Sequence, residues 1–430
     1  MLRVARHRLI VCVLIMVILI IIPRGGLFAA TTNPYRKILI FVDGTSLAQQ
    51  RAIVTLLDPQ VQILHELTLI NGLAVQFSLL VNLTTVVQSP LSHPEIQGVY
   101  DDSIAITGQE TSLTNELNPP TSKWFGWGED DVHIHVPPSY NKGIWGVGVT
   151  VAVLDSGIDL DHPDLASNIV GGFNAIAERQ SYNDDNGHGT HIAGIIAATV
   201  NGHGIIGTAA QAQLMAVKVL DATASGYLSD FINGLQWVRN HGIRVLNMSL
   251  SFAQDSVPLQ RAIQRLYQAG AIMVASVGNC GQAGGGVDED GGSDGGGTAC
   301  DPSQPAQNAV LYPAAYPKVM AVAATDVYNH ITDYSRYGPE VDMAAPGGAQ
   351  ASARLLSTVP GGGYGLGSGT SQAAAHASGV VALALRCQPS LFFDQVVALL
   401  QSTARHLDGY SSNQQGAGLI DAPKLIGALQ

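Results

Sequence analysis

Five near-continuous apolar runs constrain this chain more than any other feature: Val149–Leu154, Leu214–Val219, Val245–Leu250, Ile272–Val277 and Val319–Ala324. Runs of this length without polar alternation are the mark of strands covered on both faces, as in parallel sheets. Helical patterns separate them, at His191–Val200, Ser229–Asn240 and Leu259–Gln268. Strand and helix in alternation, joined by right-handed crossovers, predict an α/β domain with a mostly parallel sheet. Ligand sites in such sheets lie outside the carboxyl ends of the strands.

The chain ahead of that domain reads differently. Residues 38–44 read as a strand, and Leu47, Ile53, Val54 and Leu57 recur at helical spacing. Val61–Thr68 and Leu73–Leu80 form a hairpin around Asn71-Gly72. A short helix near Leu83–Gln88 and a strand near Ile96–Ile106 follow, so residues 31–108 make a small α+β domain. Residues 109–148, punctuated by Asn118, Pro119, Pro120, Pro137 and Pro138, read as a linker leading into a second domain at 149–430. Residues 1–30 carry Arg3, Arg6 and Arg8, an apolar run Leu9–Ile22, and Ala29-Ala30. That is the layout of a signal peptide for secretion, with a retained N-terminal anchor as the alternative. The membrane is then a partner only during export. The net charge of −12 argues against nucleic acid as a partner.

Four short motifs fall at strand ends or helix starts. AVLDSGID (152–159) puts Asp155 at the end of a buried strand, and NGHGTHIAG (186–194) puts His188 between two glycines at a helix start. ASVGN (275–279) places Asn279 after another strand, and GTSQAAAHASG (369–379) places Ser371 in the first turn of a thin, alanine-rich helix. Singly they read as a loop carboxylate, a structural histidine, a turn residue and a helix cap. Together they supply an acid, a base, a nucleophile and an amide donor, in the order Asp, His, Ser. The serine motif G-T-S-Q-A is not the G-x-S-x-G elbow of the α/β-hydrolases, and the chain order is that of subtilisin.

On these four motifs the chain resembles the subtilisin-like serine endopeptidases, the subtilases, over about residues 36–430. The resemblance implies a three-layer subtilisin-like fold and cleavage of peptide bonds through an acyl-enzyme. Ser371 is then the nucleophile, His188 its general base and Asp155 the partner of the imidazole. Asn279 belongs to the oxyanion hole, with Thr370 supporting the same pocket. Substrate is expected to add as a strand between Ala224, Ser225 and Gly226 on one side and Ser249, Leu250 and Ser251 on the other. Leu228, Phe231 and Leu250 would line an apolar pocket for a residue upstream of the cut, and Ser276, Val277 and Gly278 one wall of the primary pocket. The family often has Gly where Ser251 stands, usually Met where Gln372 stands, and often Pro where Ala375 stands.

Calcium enters through the same resemblance. Asp164, the Asn201 side chain and the carbonyls of Thr199, His203 and Ile205 match a structural calcium site; a solvated loop with a capping Asp is the alternative. Asp288, Glu289, Asp290 and Asp294 read as a flexible charged loop rather than a metal site. Cys280 and Cys300 flank that loop and either form a disulfide or remain separate thiols. Cys387 reads as a core residue. The leading domain resembles the family's inhibitory propeptide, self-cleaved between about residues 106 and 125, so the partners expected are peptide or protein substrates and the chain's own propeptide. A narrow processing protease and an inactive binding module are the competing readings, and the second lacks its usual sign, a missing catalytic residue.

Overall fold

The computed structural model describes residues 33–107, 124–125, 142–281, 309–349 and 354–430. The 1–30 segment, most of the 109–148 linker, Cys300 and the acidic 288–294 loop lie outside the described residues.

The leading part runs β1 (Arg36–Phe41), α1 (Leu47–Leu57), β2 (Gln62–Leu67), β3 (Gly72–Gln76), α2 (Leu83–Val87), β4 (Ile96–Asp101) and β5 (Ile104–Ile106). Its first four strands form an antiparallel sheet in the order β2-β3-β1-β4. Asn71 takes the left-handed conformation at the β2–β3 connection, as an Asn-Gly turn requires. The stretch expected as one strand over 96–106 breaks after Asp101, and β5 leaves the sheet. Expected strand ends near residues 68 and 80 contract to Leu67 and Gln76.

The main part continues with β6 (Trp124–Phe125), β7 (Thr150–Asp155), β8 (Ile169–Asn174), α3 (His188–Ala197), β9 (Ile205–Ile206), β10 (Gln213–Lys218) and β11 (Ser225–Tyr227). Then come α4 (Leu228–Asn240), β12 (Val245–Met248), α5 (Val257–Gln268), β13 (Ile272–Ser276), β14 (Met320–Thr325) and β15 (Val341–Pro346). The chain closes with β16 (Leu355–Val359), β17 (Gly363–Gly367), α6 (Thr370–Cys387), α7 (Phe393–Thr403), α8 (Ser412–Gln415) and α9 (Ala422–Ala428). Seven parallel strands line up as β15-β14-β13-β12-β7-β10-β8. All five apolar runs are in it. The two added strands are β8, interrupted by Gly171 and Gly172, and β15, which begins with Val341-Asp342; neither has an unbroken apolar pattern.

Alternation along β7 shows the layering. Val151 and Val153 enter the core shared with α3 and α6, whereas Ala152 and Leu154 enter the core on the opposite face, shared with α4 and α5. The leading sheet is used the same way. Leu39 and Phe41 of β1 pack with Val54 and Val86 of its own helices, while Ile38 and Ile40 join the α4 and α5 core. One face of the small sheet is therefore buried only because the main domain covers it.

The seam is also polar. Helix α4 has no capping side chain of its own. Asp102, 1% exposed, accepts from Ser229 N–H at 2.8 Å and Ser229 Oγ at 2.7 Å, and Ser103 O accepts from Leu228 N–H at 2.8 Å. The leading segment thus supplies acceptors for the unpaired amides of an α-helix start, where negative charge is favoured. Arg36 Nε lies 2.8 Å from Asp102 and its guanidinium stacks 3.6 Å above the Tyr227 ring. His65 Nε2 lies 2.7 Å from Asp230 Oδ1 in the first turn of α4. Cys387, expected in the core, ends α6 half-buried.

Candidate active site

Asp155 is the last residue of β7, at the carboxyl edge of the sheet. His188 opens α3, and its Nδ1 lies 2.7 Å from Asp155 Oδ1. The approach needs Gly189: a β-carbon there would sit 2.0 Å from the Gly157 carbonyl and 3.1 Å from Asp155 Cβ. Asp155 is fully buried and His188 is 4% exposed. Their hydrogen bond therefore lies in a low-dielectric setting, where it orients the ring strongly.

A second layer holds this pair. Asp155 Oδ1 also accepts from Ser156 N–H at 2.7 Å. Ser156 Oγ donates to Asp184 at 2.8 Å and accepts from Gly189 N–H at 3.0 Å. The other Asp184 oxygen accepts from Thr190 N–H at 2.9 Å and Thr190 Oγ at 2.5 Å. These residues tie the strand end to the first turn of α3. No motif marks Asp184 in the sequence; its one local signal is an acid just ahead of a helix start. Lys218, which pairs with Asp155 across β7 and β10, is also buried; its Nζ donates to Ser156 O at 2.6 Å, Leu220 O at 2.9 Å and Asp185 at 2.6 Å.

Ser371 is the second residue of α6, 2% exposed. Its Oγ lies 3.4 Å from Ser249 O, and Ser249 Oγ donates back to Ser371 O at 3.0 Å. Ser378 Oγ donates to Asn247 at 3.0 Å, a second tie between α6 and β12. The first turns of α3 and α6 meet at Gly367. A methyl there would lie 2.9 Å from His191, one turn past His188, and 3.0 Å from Gln372, next to Ser371. The small side chains of α6 permit this approach, since Ala373, Ala374, Ala375 and Ala377 are all fully buried.

Asn279 reaches the same place from β13. Its Oδ1 accepts from Thr370 N–H at 3.1 Å and Thr370 Oγ at 3.0 Å. A backbone N–H can only donate, so the amide oxygen must face Thr370 and the amide NH₂ must face away. The loop is braced by Arg336, whose Nε donates to Asn279 O at 2.6 Å and whose N–H donates to Gly278 O at 3.1 Å. Burial holds the Arg336 guanidinium below its usual pKa. No motif marked Arg336, because its partners lie far away in sequence.

The two edge segments already hold a strand. β5 pairs antiparallel with β11, Ala105 opposite Gly226. On its other side Ile106 N–H donates to Ser251 O at 3.1 Å and Ser251 N–H to Ile106 O at 2.9 Å. Thr107 N–H lies 3.4 Å from Ala224 O. Ala224, Ser225, Gly226 and Ser251 thus clamp the tail, and Ser249 and Leu250 run in line with Ser251 towards Ser371. Leu228, Phe231 and Leu250 are buried in the same cluster as Ala105. Ser276 and Gly278 sit just before Asn279, but the Val277 side chain is fully buried in the core.

Asp164 and the 199–205 loop also meet. Asn201 Nδ2 donates to Asp164 Oδ1 at 2.7 Å, and His203 Nε2 lies 3.6 Å from the same oxygen. Oδ2 accepts from Ile205 N–H at 3.0 Å and Tyr364 OH at 2.7 Å. Asn201 thus presents its amide nitrogen, not its oxygen, to the carboxylate. Among the described residues no group of three or more His, Cys, Asp or Glu side chains is arranged for a metal.

Comparison with known proteins agrees with this geometry. The pattern of the subtilase family matches residues 146–418. Subtilisin Savinase from Lederbergia lenta is 39% identical over 289 residues, covering 67% of this chain and 94% of that protein. A thermostable alkaline protease from Halalkalibacterium halodurans is 39% identical over 289 residues, 67% of this chain and 70% of that protein. An alkaline protease from Alkalihalobacillus alcalophilus is 35% identical over 364 residues, 84% of this chain and 81% of that protein.

Proposed function

The chain belongs to the subtilase family of serine proteases, and from that premise we propose that it is a secreted endopeptidase, made as a zymogen, in which Asp155, His188 and Ser371 are the catalytic triad. The observation that carries the reading is the buried 2.7 Å contact of His188 Nδ1 with Asp155. It supports a tautomer with the proton on Nδ1, which makes Nε2 the base in this reading. Ser371 Oγ gives its proton to Nε2 as it attacks the peptide carbonyl, and Asp155 stabilises the imidazolium. The imidazolium then protonates the leaving amine, and a water repeats the cycle on the acyl-enzyme. The Asn279 NH₂ and the Ser371 N–H meet the oxyanion.

The leading domain is the inhibitor in this reading. It enters the substrate clamp as a strand and covers α4 and α5, which supports a role in holding the main domain until the tail is cut. Residues 1–30 direct export. In this reading Cys280 and Cys300 form a disulfide, as export to an oxidising compartment favours.

Calcium fits the 199–205 loop by donor chemistry. With the Asn201 amide turned, the donors are one carboxylate, one amide oxygen and the carbonyls of Thr199, His203 and Ile205, all hard oxygens. Bound there, the cation would tie the loop to Asp164, next to the pairing of β6 with β9.

A serine-directed fluorophosphonate tests the enzyme reading. Labelling of the mature protein at Ser371, abolished by His188→Ala, is expected. A folded mature protein that takes no label would overturn it.

A further inference from the structure

We propose that the outer face of the leading domain docks on a lipid bilayer beside the point where the export segment enters the fold, so that the precursor is held at the membrane until the leading domain is cut away. The proposal goes beyond the proteolytic reading and rests on one part of it, residues 1–30 as an export segment.

A cluster of exposed apolar side chains is the starting point. Among the described residues every exposed leucine belongs to the leading domain: Leu56 at 70%, Leu79 at 78%, Leu80 at 86% and Leu91 at 88% exposure. Val87 is more than half exposed as well. Single exposed apolar residues are normal on any protein, whereas a group of them marks an interaction surface. The Ser78 N–H donates to Asp58 at 2.6 Å, which fixes the end of α1, with Leu56, to the loop carrying Leu79 and Leu80. α2 follows that loop and ends at Val87, and Leu91 closes the short helical turn after it. Val54 of α1 and Val86 of α2 pack on the side of the small sheet away from α4 and α5, so the patch faces away from the main domain.

Two observations select lipid as the occupant. Residues 78–92 contain no Asp, Glu, Lys, Arg or His, so a charged partner finds nothing there to pair with. Uncharged leucines at a loop and a helix end suit the boundary between headgroups and acyl chains. The second observation is where the chain enters. Asn33 Nδ2 donates to Gln76 at 2.9 Å, and Phe77 N–H donates to Tyr35 O at 2.9 Å, so the entry point lies beside Gln76 and Phe77, which lead directly into Ser78, Leu79 and Leu80. Residues 23–32 are all that separate the apolar run ending at Ile22 from Asn33, a reach of at most about 35 Å. While that run is in a bilayer, the patch is confined near its surface, and the tether turns a weak apolar contact into an intramolecular one. One weak membrane signal binds reversibly and two together hold. Cleavage behind the leading domain then frees the main domain from both.

The test uses the full chain as Ser371→Ala, which keeps the leading domain attached, in phosphatidylcholine vesicles with plain or brominated acyl chains. Leu80→Trp and Leu91→Trp report from the patch, and Tyr328→Trp reports from an exposed loop of the main domain. The signal of the parent chain, which has four tryptophans, is subtracted. The reporters at 80 and 91 are expected to lose most of their emission in brominated vesicles, and the one at 328 none. Leu79→Asp combined with Leu80→Asp is expected to abolish the loss at 91, and raised salt to leave it unchanged. Equal quenching at 80 and 328 overturns the proposal, because the tether alone then brings the chain to the lipid. A reporter at 80 that is shielded from water yet unquenched also overturns it, since another part of the chain or a second copy then covers the patch. A chain that does not float with the vesicles overturns the export reading of residues 1–30 beneath it and leaves the triad untouched.

Discussion

Thr370 donates both its backbone N–H and its hydroxyl to Oδ1 of Asn279, at 3.1 and 3.0 Å. The bonds turn the Asn279 NH₂ outward, which on the proposed mechanism makes Thr370 a positioning residue and Asn279 the oxyanion donor. Asn279→Ala is expected to lower kcat by about 10²–10³ with little change in KM, the loss known for an oxyanion donor of a subtilisin. Thr370→Val keeps the backbone bond and loses only the hydroxyl, so a drop of about 10-fold or less is expected. Steady-state kinetics on one peptide check both, and a larger loss in the valine variant would reverse the assignment.

On the proposed mechanism, release of the leading domain is self-cleavage and requires Ser371. Ser371→Ala, expressed without helper proteases, is expected to keep the leading domain covalently attached, seen as a single heavier band and mass. Normal maturation of that variant would show that another protease makes the cut.

The leading segment caps α4 through Asp102, which also pairs with Arg36. In the Ser371→Ala background, Asp102→Ala removes the cap and leaves the Arg36 guanidinium with only the more distant Asp230 carboxylate, 3.6 Å away, at a cost of about 2 kcal/mol. Asp43 pairs with Arg265 at 3.7 Å with both side chains exposed, so Asp43→Ala is the surface control and should change stability by no more than about 0.5 kcal/mol. Urea unfolding of the three proteins measures the difference.

Burial pushes the Asp342 carboxyl up to about 6, opposed by the Ala321 N–H that donates to it at 3.0 Å. Its folded pKa therefore exceeds its unfolded value. The stability it contributes is fully present below about pH 4 and is lost as pH rises through 6, by at most about 3 kcal/mol and less with partial solvent access. Asp342→Asn should accordingly be the more stable protein at pH 8 and lose that advantage at pH 4. Melting temperatures in the Ser371→Ala background check the crossing.

Gln372 stands beside the nucleophile and is fully buried. The methionines at 248, 273, 320 and 343 are fully buried too, and Met215 is half-buried in β10. With no thioether beside Ser371, the mature enzyme should keep most of its activity in dilute peroxide, whereas Gln372→Met should lose it quickly by sulfoxide formation. Equal rates of inactivation would remove the argument.

Much of this protein was legible from local pattern. Unbroken apolar runs announced five strands, and the four short motifs put Asp155, His188, Asn279 and Ser371 at strand ends and helix starts, because burial on both faces and tight helix starts impose local composition. β8 and β15 escaped because glycines and a leading Val-Asp pair break their pattern. Asp184, Arg336 and Asp102 escaped because each acts on residues distant in the chain and carries no periodic signal of its own.

The sequence alone determined which side chains could do chemistry and in what kind of sheet they would stand. Only the tertiary structure decided that β5 leaves its own sheet to lie in the clamp, that Thr370 turns the Asn279 amide, and that Asp102 of the leading segment caps α4. These depend on register and packing between distant segments, which are set when separate elements meet and compete for the same buried space.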